Sequence, residues 1–293
     1  MSSKRASRVS SAILLFLSVF CILPLLLVIS SSFTSEKALY TYGYSLFPRE
    51  TSLGAYRYLL ASKDRLLRSY LLSFAVTAAG TSASIAITMM FAYPLSKPEL
   101  PGRNFFSFFV FFTMLFNGGL IPTYLVYSQT FHIKDTIFAL LIPNLLLNGF
   151  SVIMVRTYLT TNIPVEILNA AEIDGASQFG IFLRIVIPMS LPILATIGFM
   201  TGLAYWNDWQ NGLYYLVRRT DLFTIQNLLN RILSSADALK NSKTSELMLQ
   251  GMDVPSVGSR MAISVFAMLP MLVLYPFFQK GFIRGITIGG VKG

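Results

Sequence analysis

Six long runs of this 293-residue chain contain no Asp, Glu, Lys or Arg, and they restrict its fold more than any other feature. A helix of about 20 apolar residues crosses the hydrocarbon core of a bilayer. Charged residues make up 12% of the chain, against about a quarter in soluble domains. The sequence therefore predicts an all-α membrane protein with six transmembrane helices. The runs are Val9–Ser35, Ser69–Ser96, Asn104–Ile133, Thr136–Val155, Ile185–Asn207 and Met261–Gln279.

We place these runs in a single membrane domain that covers residues 1–293. A large buried globular core is the alternative, but it would need six oversized core helices. The loop 160–188 lies on one side of the membrane, and the loops 32–69 and 209–259 lie on the other. The predicted spans are residues 11–31, 70–95, 104–128, 136–156, 186–208 and 260–279, each within a few residues.

Basic residues at the two ends of the chain set the predicted orientation. Lys4, Arg5 and Arg8 precede the first run, and Lys280 and Arg284 follow the last, with no acidic residue at either end. Because Lys and Arg near the ends of spans favour the cytoplasmic side, both termini are predicted to be cytoplasmic. The net charge of +10 then reflects topology and attraction to anionic lipid. No basic cluster or base-stacking motif predicts nucleic-acid binding.

The polar stretch Asn169–Pro188 interrupts the apolar pattern between the fourth and fifth runs. Pro164 favours the start of a helix, and Glu166 in the first turn suits the helix dipole. Gly175 is a predicted helix end, and a second short helix can begin at Ser177. The stretch therefore predicts a helix, a glycine turn and a second helix on the membrane face, which is a docking surface and not a catalytic site.

This stretch resembles the EAA loop of bacterial ABC-importer permeases. The family pattern is Glu-Ala-Ala, three residues, Gly, nine residues, then Ile-x-Leu-Pro; this chain has Asn169 in place of Glu and Ile187 in place of Leu. Ile163-Pro164 and the run around Asp174 are similar to the carbohydrate-uptake branch. The resemblance implies a type I ABC importer permease fold with a cytoplasmic coupling helix. It implies an ATPase-coupling role for Glu166, Asn169, Ala170, Ala171, Asp174, Gly175, Ile185 and Pro188.

The same resemblance implies a machine of several subunits in the bacterial inner membrane. A second homologous permease, two ATPase subunits and a periplasmic solute-binding protein would complete it. ATP and Mg would bind to the ATPases, so this chain is expected to hold no cofactor. The cargo would be an oligosaccharide, and the likeness is to permeases for complex or acidic oligosaccharides such as alginate or pectin fragments.

The C-terminal tail also looks like the family's second permease subunit, whose end contacts the paired ATPases. Gly289, Gly290 and Lys292 are the residues of this predicted interface. The tail has no periodic apolar face, so it is not expected to form a stable helix of its own. A disordered tail is the alternative.

Amide and aromatic side chains mark a predicted substrate path or docking site for the binding protein. Asn117 begins a Gly-Gly-Leu-Ile-Pro break in the third run, where a kink serves either a translocation path or helix packing. Asn144 and Asn148 lie in the fourth run, where interhelical hydrogen bonding is the alternative role. Aromatic rings can stack on the flat apolar faces of sugars, and amides can pair with hydroxyls; an interfacial aromatic belt is the alternative. The remaining members are Tyr205, Trp206, Asn207 and Trp209.

Several functions lack the residues they need. The chain has no G-x-x-x-x-G-K-[ST] loop and no metalloprotease or nucleophile-elbow motif, so it is not predicted to be an enzyme. His132 and Cys21 are single residues of their type, so no metal site is predicted. An ion-coupled secondary sugar transporter is the alternative function, although the predicted spans carry no Asp or Glu before Asp208 to relay protons.

Overall fold

The computed structural model describes residues 2–61, 63–241 and 257–290 of the chain. Helices dominate these ranges, and their only strand-like pairing is an isolated antiparallel bridge between Thr34 and Thr51. The prediction of an all-helical protein is therefore confirmed for the described part of the chain.

The first half of the chain forms helices of very different length. Gly119 has a left-handed φ of 86° just before α6, and a five-residue π-helical turn, Val126–Thr130, follows α6 directly. In chain order the helices are α1 (Ser2–Ser32), α2 (Glu36–Tyr42), α3 (Gly54–Ala61), α4 (Lys63–Ser96), α5 (Arg103–Leu115), α6 (Leu120–Leu125) and α7 (Phe138–Leu141).

The second half begins with a regular helix and then becomes more broken. A π-helical turn, Phe182–Val186, lies between α10 and α11, and a 3₁₀ turn, Thr220–Leu222, precedes α14. The helices are α8 (Gly149–Asn162), α9 (Val165–Ile173), α10 (Gln178–Ile181), α11 (Ile187–Met189), α12 (Leu191–Asn207), α13 (Gln210–Tyr215), α14 (Ile225–Asn241) and α15 (Val257–Gly290).

Two of the described helices, Ser10–Ser32 within α1 and the whole of α4, are long and apolar enough to cross a membrane. Two further pairs pass the same test together but are bent at a short break. Arg103–Leu115 and Leu120–Thr130 meet at 111°, and Gln178–Met189 and Leu191–Asn207 meet at 77°. Length and composition thus support two to four spans in the described residues, and six spans remain a prediction.

One sequence expectation about helix continuity is wrong. Residues 136–156 do not form one helix, because Pro143 and the left-handed Asn144 (φ 61°) separate α7 from α8. The described part of the C-terminal tail, up to Gly290, is helical as the end of α15. Extending an existing helix avoids the cost of nucleating a new one, which the composition of the tail did not reveal. Lys292 lies outside the described residues.

The chain divides into two compact units. Unit 1 comprises Met1–Arg68 and Leu228–Pro270, and unit 2 comprises Ser69–Asn227 and Met271–Gly293. In unit 1 the ring of Tyr56 stacks on Phe33 with centroids 4.9 Å apart, and its hydroxyl lies 2.8 Å from Ser32 Oγ. At the start of α15, the backbone N–H of Gly258 donates to Glu36 Oε1 at 2.8 Å.

Unit 2 contains two clusters of buried apolar side chains. One joins α4, α8 and α12 through residues such as Met89, Val155 and Ile197. The other contains Tyr205 and Tyr215 together with Val76, Ala139, Leu140, Leu216 and Phe223. A Cβ on Gly80 would overlap the ring of Tyr205, so glycine is what allows α4 and α12 to approach so closely.

Candidate functional site

The segment from Pro164 to Ser177 folds as a helix, a glycine turn and the start of a second helix. Pro164 stands at the N-cap of α9 with an extended ψ of 131°, and Glu166 lies in the first turn. At the other end, Gly175 N–H donates to Glu172 O and Ala176 N–H to Ala171 O, at 3.0 and 2.9 Å. These two bonds form a Schellman motif, which needs the left-handed φ of 82° at Gly175. The local backbone prediction is confirmed.

The second helix has its own cap. Ser177 Oγ accepts the backbone N–H of Gly180 at 3.1 Å, so the turn between α9 and α10 is satisfied on both sides. Ile185 packs on the first core cluster of unit 2, while Pro188 lies in α11 on its surface. Ile185 therefore anchors the end of the segment on the core of unit 2, and neither of these two predicted coupling residues belongs to the turn.

This segment exposes several large apolar side chains, beside polar ones, in the described structure. None of the residues of α9 is buried. Ile173 has 87% of its side chain exposed and Phe179 has 69%, and Val165 and Ile167 are also exposed. Several large apolar side chains exposed on one short segment indicate a surface that another molecule can cover. Asn169, Ala170 and Asp174 lie on the same exposed segment.

A polar network ties this segment to the short loop after α4. Gln178 Nε2 donates to Glu172 Oε1 at 2.6 Å, and Lys97 Nζ donates to Gln178 Oε1. Lys97 also lies 3.7 Å from Glu172 Oε1 and 5.0 Å above the ring of Tyr93. A cavity of about 690 Å³ between the loop and the segment includes Asn169 in its wall.

Sequence reasoning missed Lys97 and Gln178 as members of this site and did not assign Glu172 a coupling role. In the chain, Lys97 lies 75 positions before Glu172 and 81 positions before Gln178. A single sequence carries no signal for such a pairing. Surface ion pairs of this kind contribute at most about 1 kcal/mol to stability. Their consequence here is orientation, because they fix α9 and α10 relative to the end of α4.

A second cavity, of about 340 Å³, lies in unit 2 beside the break that follows α5. It brings together two of the residues that the sequence placed on a substrate path, Asn117 and Asn144. Apart from Thr123 in α6, its other polar members follow α12, and none of them was among the predicted path residues. We call it the amide cavity and define it by Asn117, Asn144, Asp208, Gln210, Asn211 and Tyr214.

The other predicted path residues do not line the amide cavity. Asn148 caps α8 by accepting the N–H of Ser151 at 3.2 Å. Tyr205 is buried and donates its hydroxyl to Leu141 O at 2.7 Å. Trp206 is 1% exposed and lies 5.0 Å from the ring of Phe74. In this conformation Tyr205 and Trp206 are packing residues.

Asn207 and Trp209 flank the same helix end but point elsewhere. Asn207 Oδ1 accepts from Gln226 Nε2 at 3.5 Å. Trp209 is 39% exposed, and its backbone carbonyl accepts Asn227 Nδ2 at 2.7 Å. The residues that the sequence indicated at this helix end thus lie next to the cavity but do not line it. Helix α12 ends at Asn207, and the turn that follows decides which side chains face the cavity.

Hydrogen bonds hold the wall of the amide cavity in place. Asp208 Oδ1 accepts the backbone N–H groups of Gln210 and Asn211 at 3.1 and 3.3 Å. Asn211 Nδ2 donates to Pro143 O at 3.0 Å, which joins α13 to the bend before α8. Asn117 Oδ1 accepts the N–H of Gly119 at 2.8 Å.

A second carboxylate organises the chain just beyond α13. Asp135 Oδ1 accepts three successive backbone N–H groups, those of Val217, Arg218 and Arg219, at 2.7, 2.8 and 3.3 Å. Desolvation raises the pKa of Asp135, but the N–H bonds from Arg218, Arg219 and Val217, together with the charge of Lys134, outweigh it and lower that pKa below its usual value.

Apolar helices long enough to cross a membrane, two pairs of them joined at sharp bends, are typical of a helical membrane protein. No protein-family model matches the chain. It is 37% identical to the polygalacturonan/rhamnogalacturonan transport system permease protein YtcP of Bacillus subtilis (strain 168), over 96% of each chain. It is 36% identical to protein LplC of the same organism, over 93% of this chain and 90% of LplC.

A solved structure agrees with these relatives. One chain of a bacterial ABC transporter involved in the import of the acidic polysaccharide alginate superposes with a TM-score of 0.80 and 29% identity, covering 96% of this chain and 98% of that one. The chain belongs to the family of sugar ABC-transporter permeases. The resemblance found in the sequence is thereby confirmed, and the relatives are transport permeases and not enzymes.

Proposed function

We propose that this chain is one permease subunit of an ABC importer that carries an oligosaccharide across the bacterial inner membrane. A periplasmic binding protein delivers the sugar, and two partner ATPases supply the energy. A uronate-containing oligosaccharide of the alginate type is the preferred cargo. The names of YtcP and of the alginate transporter, both of which concern acidic polysaccharides, support that choice.

The exposed helix–turn–helix is the observation that carries the proposal. Its backbone is satisfied internally by the Schellman motif and the Ser177 cap, so the fold does not need a partner to complete it. Its apolar side chains do, because Ile173 and Phe179 stand in solvent in the described structure. A cytoplasmic ATPase that receives α9 in a groove would cover both, and α9 is then the coupling helix.

Coupling requires that motion at this surface reaches the membrane helices. The Lys97–Gln178–Glu172 network supports such a route, since it joins the docking segment to the end of α4. Inward movement of α9 on ATP binding would shift α4 and α12 together and open the permease outward. Glu166, Asn169 and Asp174 would meet the ATPase, and Gly289, Gly290 and Lys292 would contact it through the tail.

Helix α5 supports the presence of a second, homologous permease. None of its described residues is buried, and phenylalanines face outward around most of it. Lipid covers part of such a surface, and the second permease would cover the rest. The orientation with both termini in the cytoplasm belongs to this proposal and places α9 on the same side as the ATPases.

Reconstitution of the whole importer in proteoliposomes tests the function. We expect uptake of labelled alginate oligosaccharide to require ATP inside and the binding protein outside. Uptake that continues on a proton gradient with ATP withheld would instead establish the secondary transporter. A proton gradient without ATP should therefore give no uptake above background.

A pair of matched variants tests the docking surface. Ile173→Asp should abolish co-purification of the ATPases, because a charge replaces an apolar side chain that a partner covers. Phe47→Asp is the control, since Phe47 is similarly exposed but lies in a loop predicted on the opposite side of the membrane. Retention of the ATPases by Ile173→Asp would contradict the docking proposal.

A further inference from the structure

The side chains that could hydrogen-bond a ligand in the amide cavity include four neutral amides and one carboxylate. Amide groups of Asn117, Asn144, Gln210 and Asn211 line it, and amides can both donate to and accept from sugar hydroxyls. Asp208 is the one charged residue among the described lining residues, and it is acidic. No Lys, Arg or His of the described structure stands in the wall to receive a carboxylate.

The geometry of the cavity suits one or two sugar units. Its volume of about 340 Å³ lies at the lower end of the range of small-molecule sites, about 300–1,000 Å³. The half-buried ring of Tyr214 forms part of the wall and offers an apolar face to a pyranose ring. Tyr215 also lines the cavity, is buried and stacks on Tyr124 with centroids 5.5 Å apart, so this part of the wall is firmly packed.

The polar groups of the wall are fixed before any ligand arrives. Asp208 is held by the N–H groups of Gln210 and Asn211, and Asn211 by Pro143 O. The bond from Gly119 N–H uses the carbonyl oxygen of Asn117, which makes the NH₂ group of that amide the donor for a ligand. Asn144 adopts a left-handed backbone that few non-glycine residues take, and such conformations cluster at binding sites.

We propose that the amide cavity is a sugar subsite in this permease which accepts a neutral unit and rejects a uronate. The inference rests on the proposed function and adds a specificity to it. A uronate bound there would place its carboxylate close to that of Asp208, with no cation of the described wall to compensate. Like charges a few ångströms apart repel strongly where water is partly excluded. An oligosaccharide that carries both kinds of unit would place a neutral one here and its uronates elsewhere. A fragment made only of uronates, as alginate is, would be carried without occupying this subsite.

Two disaccharides that differ only at C6 test the specificity. The importer complex is purified with both permeases and both ATPases, without the binding protein. Equilibrium dialysis then measures the binding of labelled galactobiose and of digalacturonate, its counterpart with two carboxylates. We expect the wild-type complex to bind galactobiose at least tenfold more tightly.

Three variants connect that preference to the cavity. Asp208→Asn keeps the oxygen that accepts the N–H groups of Gln210 and Asn211 but removes the charge, so the ratio of affinities should fall towards one. Asp221→Asn removes an exposed carboxylate outside the cavity and should leave the ratio at its wild-type value. Gln210→Ala removes a lining amide and should weaken galactobiose several-fold. ATP hydrolysis by each purified complex confirms its assembly.

Equal affinities for the two disaccharides, an unchanged ratio in Asp208→Asn, or no binding of galactobiose to an active complex would each overturn the subsite. None of these results tests the proposed function, which depends on ATP-driven uptake by the reconstituted importer. Loss of that ATP dependence would overturn the proposed function, and the binding ratio would still report on the cavity.

Discussion

The docking segment, residues 164–180, buries none of its large apolar side chains, whereas the segment of residues 208–224, also in unit 2, buries several of its own. In the first, the backbone is fully capped while Ile173 and Phe179 stand exposed. In the second, Tyr215, Leu216 and Phe223 are buried, and carboxylates hold the backbone. The first region leaves apolar side chains in solvent, as the proposed docking function requires, whereas the second region packs its large apolar side chains inside unit 2.

Two phenylalanines give the largest expected difference between the regions. Phe223→Ala should lower the free energy of unfolding by about 3–5 kcal/mol, because its buried side chain would leave a cavity. Phe179→Ala should leave the stability of the isolated permease nearly unchanged but weaken its hold on the ATPases. Thermal unfolding in detergent and co-purification measure the two effects. Equal losses of stability would remove the contrast between the regions.

Two tryptophans at the start of the second region, Trp206 just before it and Trp209 within it, sharpen the comparison. Trp206→Ala should destabilise unit 2 by about 3–5 kcal/mol, since Trp206 is 1% exposed. Trp209→Ala should cost much less, because Trp209 is 39% exposed, and only this variant reports on docking or sugar acceptance without unfolding. Thermal unfolding and uptake are measured for both. A stable Trp206→Ala with reduced uptake would favour the substrate path predicted from the sequence.

Gly175 tests the first region at its turn. A Cβ there would meet nothing within 4 Å, so the cost of Gly175→Val is backbone strain alone, about 1–2 kcal/mol for the left-handed conformation. We expect this variant to insert in the membrane but to lose stimulated ATP hydrolysis and uptake. Gly175→Asn is the matched control, since Asn tolerates a left-handed backbone and should keep most activity. Normal coupling in Gly175→Val would show that the turn is not required.

The smallest expected effect is on the pH dependence of stability, and it comes from replacing Asp135. Its pKa is lower in the folded state, so the stability it contributes is present above the unfolded pKa of about 3.9 and is lost as pH falls through the folded value. Asp135→Asn should therefore melt below the wild type at neutral pH, and the gap should close at the acid end of the scale. A gap that is independent of pH would mean that the three N–H bonds do not depend on charge.

Local backbone structure at the docking segment could be predicted from its sequence alone. Pro164, Gly175 and Ser177 act through φ restriction, a left-handed conformation and a side-chain cap, and each of these effects depends on neighbours within a few residues. The break after Asn117 was predictable for the same reason, because Gly-Gly followed by a nearby Pro disfavours a continuous helix. The resemblance to the permease family came from the same residues.

Which side chains share each of the two cavities could not be predicted in this way. Asn144 and Asp208, or Lys97 and Gln178, meet across more than sixty residues, and each pairing depends on how helices pack and where they end. The sequence chose Tyr205 and Trp206 for the substrate path because aromatic residues suit sugars, but helix α12 turns both into the core. Local chemistry thus determined the class of protein and its docking turn, whereas only tertiary packing decided which polar side chains share a site.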